Sequence, residues 1–223
     1  MNLRAVLIAT TGLGVGLGSL LFDGGFAGSA GPNLEYRAYA PQVTRAELPP
    51  TPTPVPLPVP YNGPVESLHL GSARIDAAWP VEVRDTYFAG GREFFEDPSA
   101  PQRIAWYARF GHPGYTGANS IFAAHVDYVG FGKGPFGYIT SASAGDALYV
   151  TMDNGTSYAY TVKSVAVVPL EQLDMDAVVF PSLEPGVERV TLISCGGTFV
   201  PYAGGGGEYT SRVIVVAERY VQA

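Results

Sequence analysis

VTLISCGG, residues 190–197, is a run of β-branched and aliphatic residues that ends in a cysteine and two glycines. This composition predicts a buried strand. Side chains alternate between the two faces of a strand, so Cys195 shares a face with Ile193. We expect the glycine pair to stop the strand just past the sulfur. The sequence therefore predicts one thiol at a strand end, beside a flexible loop.

Cys195 is the only cysteine of the chain, which leaves two interpretations of it. A lone cysteine is often a small hydrophobic residue of the core. If the protein is exported, however, a single thiol has no partner for an internal disulfide and is open to oxidation outside the cell. The presence of a free thiol there favours the interpretation that Cys195 is used in a reaction.

Residues 191–195, Thr-Leu-Ile-Ser-Cys, resemble the Thr-Leu-x-Thr-Cys signature of sortases, which are surface transpeptidases of mainly Gram-positive bacteria. The sortase pattern also includes a histidine at the end of an upstream strand and an arginine that opens the last strand. His125 lies near the end of IFAAHVD, residues 121–127, and Arg212 is the second residue of the run SRVIVV, residues 211–216. The resemblance covers residues 65–223, with these motifs in the family's order.

Further upstream, IAWY at 104–107, HPG at 112–114 and GAN at 117–119 are similar to the segment that precedes the histidine in several sortase classes. Two departures are small: Ala124 stands where the family most often has glycine, and Ser194 replaces the usual threonine. The Ser-Cys-Gly-Gly variant and the proline-rich stem look most like sortases of class F, or class E, from actinobacteria. By their positions in the motifs, Ser194 and Ala124 are candidates for substrate contact.

The resemblance implies a role for each reactive residue. Cys195 would be the nucleophile that holds the cleaved substrate as a thioester, because a thiolate attacks carbonyls well and also leaves readily. His125 would be the general acid and base. Arg212, which stays charged, would stabilise the transition state. The substrate would be a sorting signal such as Leu-Pro-x-Thr-Gly, and the acceptor an amine, expected to belong to a peptidoglycan precursor.

Three other functions remain open at this point. A pilin-polymerising sortase would use a lysine of another protein as the amine, and a thiol peptidase would use water. A stalked surface-binding module would keep the barrel without catalysis, although the three intact reactive residues argue against it. Asp127 is a further candidate for orienting the imidazole, whereas His69 and His112 have no comparable context and are interpreted as structural.

The composition favours a single loop-rich β domain, because the chain has 28 glycines and 19 prolines but only 15% charged residues. With a net charge of -7 and no basic run, it offers no site for nucleic acid. Structural zinc needs several cysteine or histidine ligands at short spacing, and the chain has one cysteine. The sequence therefore implies no metal and no cofactor.

The N-terminal part divides into two segments. Residues 1–30 contain an uncharged apolar stretch, Ala5 to Phe22, preceded by Arg4, which predicts a membrane anchor with its N-terminus in the cytoplasm; a cleaved signal peptide is the alternative. Residues 31–64 are rich in proline and predict an extended spacer of about 3 Å per residue. The catalytic domain, residues 65–223, would then lie outside the cell membrane or be secreted.

Local patterns predict mostly strands in this domain. Asn154-Gly155 favours a tight hairpin turn between two alternating runs. The resemblance implies that the strands form a closed eight-stranded sortase-type β-barrel with short helices, with the cysteine strand near its centre. The predicted elements are a short helix within 101–110, a strand over 119–126, a glycine-rich loop over 127–138, hairpin strands over 148–152 and 156–162, a short helix within 170–178, a mobile loop over 202–209 and a closing strand over 212–220.

Overall fold

The computed structural model describes residues 60–221. The predicted N-terminal segment, 1–30, and the linker up to residue 59 lie outside that range. Within it, no helix is long and apolar enough to cross a membrane. The strands are β1 (Val65–His69), β2 (Val81–Val83), β3 (Thr86–Ala89), β4 (Arg92–Phe95), β5 (Ile104–Trp106), β6 (Asn119–Ala123), β7 (Asp127–Tyr128), β8 (Gly132–Lys133), β9 (Ala147–Met152), β10 (Ser157–Pro169), β11 (Val187–Pro201) and β12 (Gly207–Tyr220), and the α-helix is α1 (Met175–Val179).

Eight strands form one sheet in the order β1-β9-β10-β12-β11-β6-β5-β2. The two end strands, β1 and β2, lie against each other, so the sheet curls into a nearly closed barrel. Neighbouring strands are antiparallel except for the pairs β11–β6 and β2–β5, which are parallel. This confirms the predicted mainly-β, eight-stranded barrel, with the cysteine strand β11 near the middle of the sheet.

The barrel is apolar on both faces of its central strands. Leu192 and Val215 belong to the main core inside the barrel. Their neighbours Ile193 and Ile214 belong to a second buried cluster, against which Met175 packs. Because side chains alternate along a strand, this second cluster lies on the outer face. Cys195 has the same parity as Ile193, so its sulfur faces this outer cluster.

The hairpin predicted around Asn154-Gly155 is confirmed. Strands β9 and β10 pair antiparallel, and Met152 N–H donates to the carbonyl of Thr156 at 2.8 Å. Gly155 has a φ of +82°, a value that favours glycine. The Asn154 side chain accepts a hydrogen bond from Thr156 N–H at 2.9 Å, which closes the turn locally.

The helix predicted within 101–110 is wrong. Residues Ile104–Trp106 form strand β5, which pairs with β2 on one side and β6 on the other. All three of its residues are buried. A surface helix leaves one face polar, whereas a short strand in the middle of a sheet is covered on both faces, and this burial decides the outcome.

The glycine pair does not stop the cysteine strand, contrary to the sequence prediction. β11 continues to Pro201, with a shift of its register against β12 between Gly196 and Phe199. Gly197 has a φ of +78°, and a Cβ atom there would lie 2.6 Å from the Ser211 hydroxyl oxygen. The two glycines therefore form a β-bulge that bends the strand and lets it continue.

Beyond this bulge the strands form a projecting arm. Phe199 pairs with Tyr209, and the connecting turn closes where Tyr202 N–H donates to the Gly206 carbonyl at 3.0 Å. The mobile loop predicted over 202–209 is therefore partly strand, because β12 begins at Gly207.

Residues 60–64, the last part of the predicted linker, contact the barrel. The ring of Tyr61 packs against the main core. The Pro64 carbonyl accepts a hydrogen bond from Asp153 N–H at 3.1 Å, and the Gly63 carbonyl lies 2.9 Å from Nε2 of His112. The interpretation of His112 as a structural residue agrees with these contacts.

Candidate active site

The strand register brings the three predicted reactive residues together. β6 and β11 run parallel, with Ala123 opposite Ile193. His125 and Cys195 each follow two residues later, so the two residues lie next to each other. On the other side of β11, Cys195 is the direct partner of Arg212 in β12. Three neighbouring strands therefore place histidine, cysteine and arginine side by side.

All three residues line a pocket of about 450 Å³. Its walls are largely apolar and come from the β3–β4 hairpin on one side and the segment around α1 on the other. The lining residues are Tyr87, Glu93, Phe94, Phe95, Asp97, Pro98, Tyr107, Ala123, Ala124, His125, Leu170, Leu173, Met175, Ile193, Ser194, Cys195 and Arg212.

Cys195 is a free, half-buried cysteine. Burial raises the pKa of its thiol above the ordinary value, and the positive charge of Arg212 lowers that pKa in part. The carboxylates of Asp97, Asp127 and Glu208 raise it further. The thiol therefore rests protonated near neutral pH, and its attack on a carbonyl requires a group that removes the proton.

Arg212 is held by backbone and side-chain acceptors close to it. Its Nη1 donates to the Ser211 carbonyl at 3.1 Å, and its Nη2 lies 3.4 Å from Oε1 of Glu208. About a quarter of the side chain is exposed, toward the pocket. The guanidinium is thus anchored on its own strand and retains donors for a ligand.

We predict that the substitution Arg212→Met raises the pH at which the Cys195 thiol ionises, because it removes the positive charge that lowers the thiol pKa. The rate of alkylation by iodoacetamide, measured against pH, reports that ionisation. Arg212→Lys keeps the charge and should shift the profile less. A profile that is the same in Arg212→Met as in the natural protein would contradict the electrostatic role of the arginine.

His125 is fixed through its backbone. Its carbonyl accepts a hydrogen bond from Phe136 N–H at 3.1 Å, and its ring makes an edge contact with Tyr128, the ring centroids 5.2 Å apart. Gly134 lies against the same peptide, since a Cβ atom there would come within 2.4 Å of the His125 carbonyl oxygen. The loop after β6 therefore needs a glycine at this position to hold the histidine in place.

Ser194 and Ala124, the two candidates for substrate contact, line the pocket but are almost fully buried. The Ser194 hydroxyl donates to the Ala124 carbonyl at 2.8 Å. This bond joins the residue before the cysteine to the residue before the histidine. The two residues therefore tie β11 to the segment that carries His125.

Asp127 does not contact the imidazole in the way considered from the sequence. Its Oδ2 accepts a hydrogen bond from the Tyr209 hydroxyl at 2.6 Å. Among residues 60–221 no hydrogen bond joins Asp127 to His125. In the same part of the chain, no group of three histidine, cysteine, aspartate or glutamate side chains is arranged to hold a metal ion.

The β3–β4 hairpin was missed in the sequence. It forms a separate two-stranded sheet beside the barrel, with the rings of Tyr87 and Phe94 stacked at 5.5 Å between centroids. Its turn is made by Gly90 and Gly91, which both have positive φ. A Gly-Gly pair between two runs with aromatic residues is a hairpin signal, and it would have located this wall of the pocket.

Comparisons with known proteins give one match to a family model: the Sortase domain model matches residues 79–220. No curated protein matches the sequence. Among solved structures, the fold is similar to a lid mutant of sortase A from Corynebacterium diphtheriae, with 21% identity over 71% of each chain and a TM-score of 0.48. Sortase A (SrtA) from Actinomyces oris has 21% identity over 75% of this chain and 86% of its own, with a TM-score of 0.47. Sortase C-1 from Streptococcus pneumoniae has 19% identity over 71% of this chain and 67% of its own, with a TM-score of 0.46.

Proposed function

Because the chain belongs to the sortase family, we propose that it is a cysteine transpeptidase that cleaves a C-terminal sorting signal such as Leu-Pro-x-Thr-Gly and transfers the acyl part to an amine. The observation that carries the proposal is the register of three neighbouring strands, which brings Cys195, His125 and Arg212 into one pocket. Three reactive side chains in one largely apolar cleft are what acyl transfer through a thiol requires.

The first half-reaction starts from a protonated thiol. His125 accepts the proton of Cys195 as the sulfur attacks the scissile carbonyl. Arg212, the strand partner of the cysteine, supplies hydrogen-bond donors to the oxygen that becomes negative. His125 then gives the proton to the departing amine, and the acyl group stays on Cys195 as a thioester.

The second half-reaction reverses these proton movements. An incoming amine attacks the thioester, His125 removes a proton from the nitrogen, and the sulfur leaves. The acyl group is now an amide of the acceptor. A thioester resists water long enough for this exchange and still reacts readily with amines.

The lining of the pocket supports a peptide with apolar residues as the donor. Leu170, Leu173 and Met175 form one wall, and Phe94 and Phe95 belong to the other. Burying a leucine side chain against such walls is worth about 1.5–3 kcal/mol, which suits recognition of the Leu-Pro part of a sorting signal.

The setting of the reaction is also part of the proposal. Residues 1–30 would anchor the protein in the cell membrane and 31–64 would serve mainly as a spacer, with the catalytic domain outside the cell. The acceptor amine would belong to a peptidoglycan precursor, so that the enzyme attaches surface proteins to the cell wall. The Ser-Cys-Gly-Gly motif and the proline-rich stem support a class F or class E sortase.

Mass spectrometry of residues 60–223 incubated with a Leu-Pro-x-Thr-Gly peptide and excess glycine peptide tests this function. Exchange of the C-terminal part of the peptide is expected. Hydrolysis alone would indicate a thiol peptidase or another acceptor, and exchange onto a lysine-bearing pilin peptide only would indicate a pilin polymerase. If no sorting motif reacts, the non-catalytic surface-binding module becomes the better explanation.

We further predict that the stem is dispensable for catalysis. A fragment that starts at Pro60 should match the full chain in exchange activity. One that starts at Val65 should remain active but lose about 1–3 kcal/mol of unfolding free energy, because it lacks the contacts of Tyr61, Gly63 and Pro64 with the barrel. Urea denaturation and the exchange assay measure the two quantities. A well-folded Pro60 fragment with little activity would refute the spacer role.

A further inference from the structure

A small cavity adjoins the pocket at Cys195. It has a volume of about 70 Å³ and lies between the β3–β4 hairpin and α1. We propose that it binds the side chain of the donor residue that precedes the leucine of the sorting signal, and that this side chain is aliphatic. The inference rests on the proposed function and extends the recognised part of the donor by one residue.

The cavity shares part of its lining with the pocket at Cys195. Four residues line both: Glu93, Phe94, Phe95 and Met175. Over residues 60–221, none of the three reactive residues lines the cavity. It therefore lies beyond the four shared residues as seen from the sulfur.

The direction of the bound donor leads its chain toward this cavity. The thioester keeps the N-terminal part of the donor on the sulfur, so the leucine, at the start of the motif, lies far from Cys195. At about 3.3 Å per residue, an extended chain places it about 10 Å away. The leucine suits the wall that Leu170, Leu173 and Met175 form. The preceding residue then reaches the far side of Met175, where the cavity lies.

The leucine-proline pair of the motif also orients the preceding side chain. A residue before proline is restricted to extended conformations. Successive side chains of an extended chain point in opposite directions. With the leucine packed on the wall around Met175, the preceding side chain points toward the other wall, the hairpin with Phe94 and Phe95.

The lining of the cavity is largely apolar. Of its two carboxylates, that of Glu93 is neutralised, since its Oε1 lies 2.5 Å from Nη1 of Arg109. Asp176 is solvent-exposed, so its carboxylate lies at the mouth of the cavity and not on its apolar floor. The apolar lining residues are Phe94, Phe95, Phe110, Met175, Val179 and Phe180. A cavity of this volume and composition fits a small aliphatic side chain.

Both walls of the cavity are fixed to the barrel. On the α1 side, Nδ2 of the buried Asn119 in β6 donates to the carbonyls of Val178 at 2.9 Å and Val179 at 3.1 Å. On the hairpin side, Nη1 of Arg109, in the loop after β5, donates to the Thr86 hydroxyl at 2.6 Å. The cavity is thus formed before a ligand arrives, and binding requires little ordering of the protein.

The test uses the full-length protein in detergent and donor peptides that differ only in the residue before Leu-Pro-x-Thr-Gly, which is alanine, leucine or lysine. Excess glycine peptide is the amine, and the readout is the ratio of kcat/KM values for two donors. The leucine donor should exceed the alanine donor about tenfold, which corresponds to about 1.4 kcal/mol, because three more carbon groups leave water.

A matched pair of variants locates the effect on the protein. Phe180→Ala removes an aromatic wall of the cavity and should lower the preference for leucine over alanine about threefold or more. Phe88→Ala removes a similarly exposed phenylalanine from the β3–β4 hairpin that lines neither the cavity nor the pocket, and it should leave the preference unchanged. Because both side chains are largely exposed, both variants should fold.

Equal kcat/KM values for the leucine and alanine donors, or the same preference in Phe180→Ala as in Phe88→Ala, would overturn the inference. A preference for lysine over leucine would overturn it as well, since the carboxylates would then select the residue in place of the apolar walls. In each of these cases the donors are still cleaved, so the proposed function stands. If no donor is cleaved, the proposed function fails, and the inference with it.

Discussion

Replacing Cys195 with alanine is expected to lower exchange activity by about 10³-fold or more, because it removes the only thiol of the chain and with it the group that would form the thioester. The change removes one half-buried sulfur, so folding should be little affected. The measurement compares exchange of a sorting-signal peptide by the variant and by the natural protein, with circular dichroism melts as the check on folding.

A matched variant separates loss of the nucleophile from a change in shape. Cys195→Ser keeps the size of the side chain but has a far less acidic hydroxyl, so it should lose most of the activity as well. Binding of the donor peptide should survive in both variants, since the apolar walls of the pocket are unchanged. Turnover that persists in Cys195→Ala would refute the thioester mechanism.

The largest effect on stability is expected at Glu188, a carboxylate with no exposed surface at the start of β11. Arg219 Nε donates to its Oε2 at 2.5 Å, and Gly114 N–H donates to its Oε1 at 2.6 Å. The Tyr160 hydroxyl also donates to Oε1. Glu188→Ala would leave several of these buried donors without an acceptor, at a cost of about 3–5 kcal/mol in unfolding free energy.

The neighbouring ion pair on the same two strands is the natural control. Arg189 and Glu218 are paired across β11 and β12 as well, at 2.6 Å, but each side chain is about one-fifth exposed. Glu218→Ala should therefore cost only about 0–1 kcal/mol. Urea denaturation gives both values. Equal losses in Glu188→Ala and Glu218→Ala would show that the buried network has no special role.

This stability effect should not extend to catalysis. Glu188 and Cys195 are seven positions apart on one strand, about 23 Å at the usual rise of β-structure. A Glu188 variant that is still folded at the assay temperature should therefore exchange peptide at a normal rate. Lower activity in the folded fraction would mean that the network also positions Cys195.

The individual strands could be predicted wherever a local pattern was strong. The β-branched and aliphatic run before Cys195 identified β11, and the Asn154-Gly155 turn identified the β9–β10 hairpin. Prediction failed where the local sequence pattern does not distinguish a helix from a strand. Ile104–Trp106 is too short and too uniformly apolar to separate a helix from a strand, and its burial between β2 and β6 decided the matter.

The sequence by itself determined which side chains are available for chemistry: one thiol and, in motif order, one histidine and one arginine. It also determined the strand-forming segments, because hydrophobic alternation and turn residues act over a few positions. Only the tertiary structure decided that β6 runs parallel to β11 in the register that brings His125 to Cys195. It alone enclosed Glu188 between Arg219 and Tyr160. These contacts depend on strand order and register, which join distant parts of the chain and which no local pattern specifies.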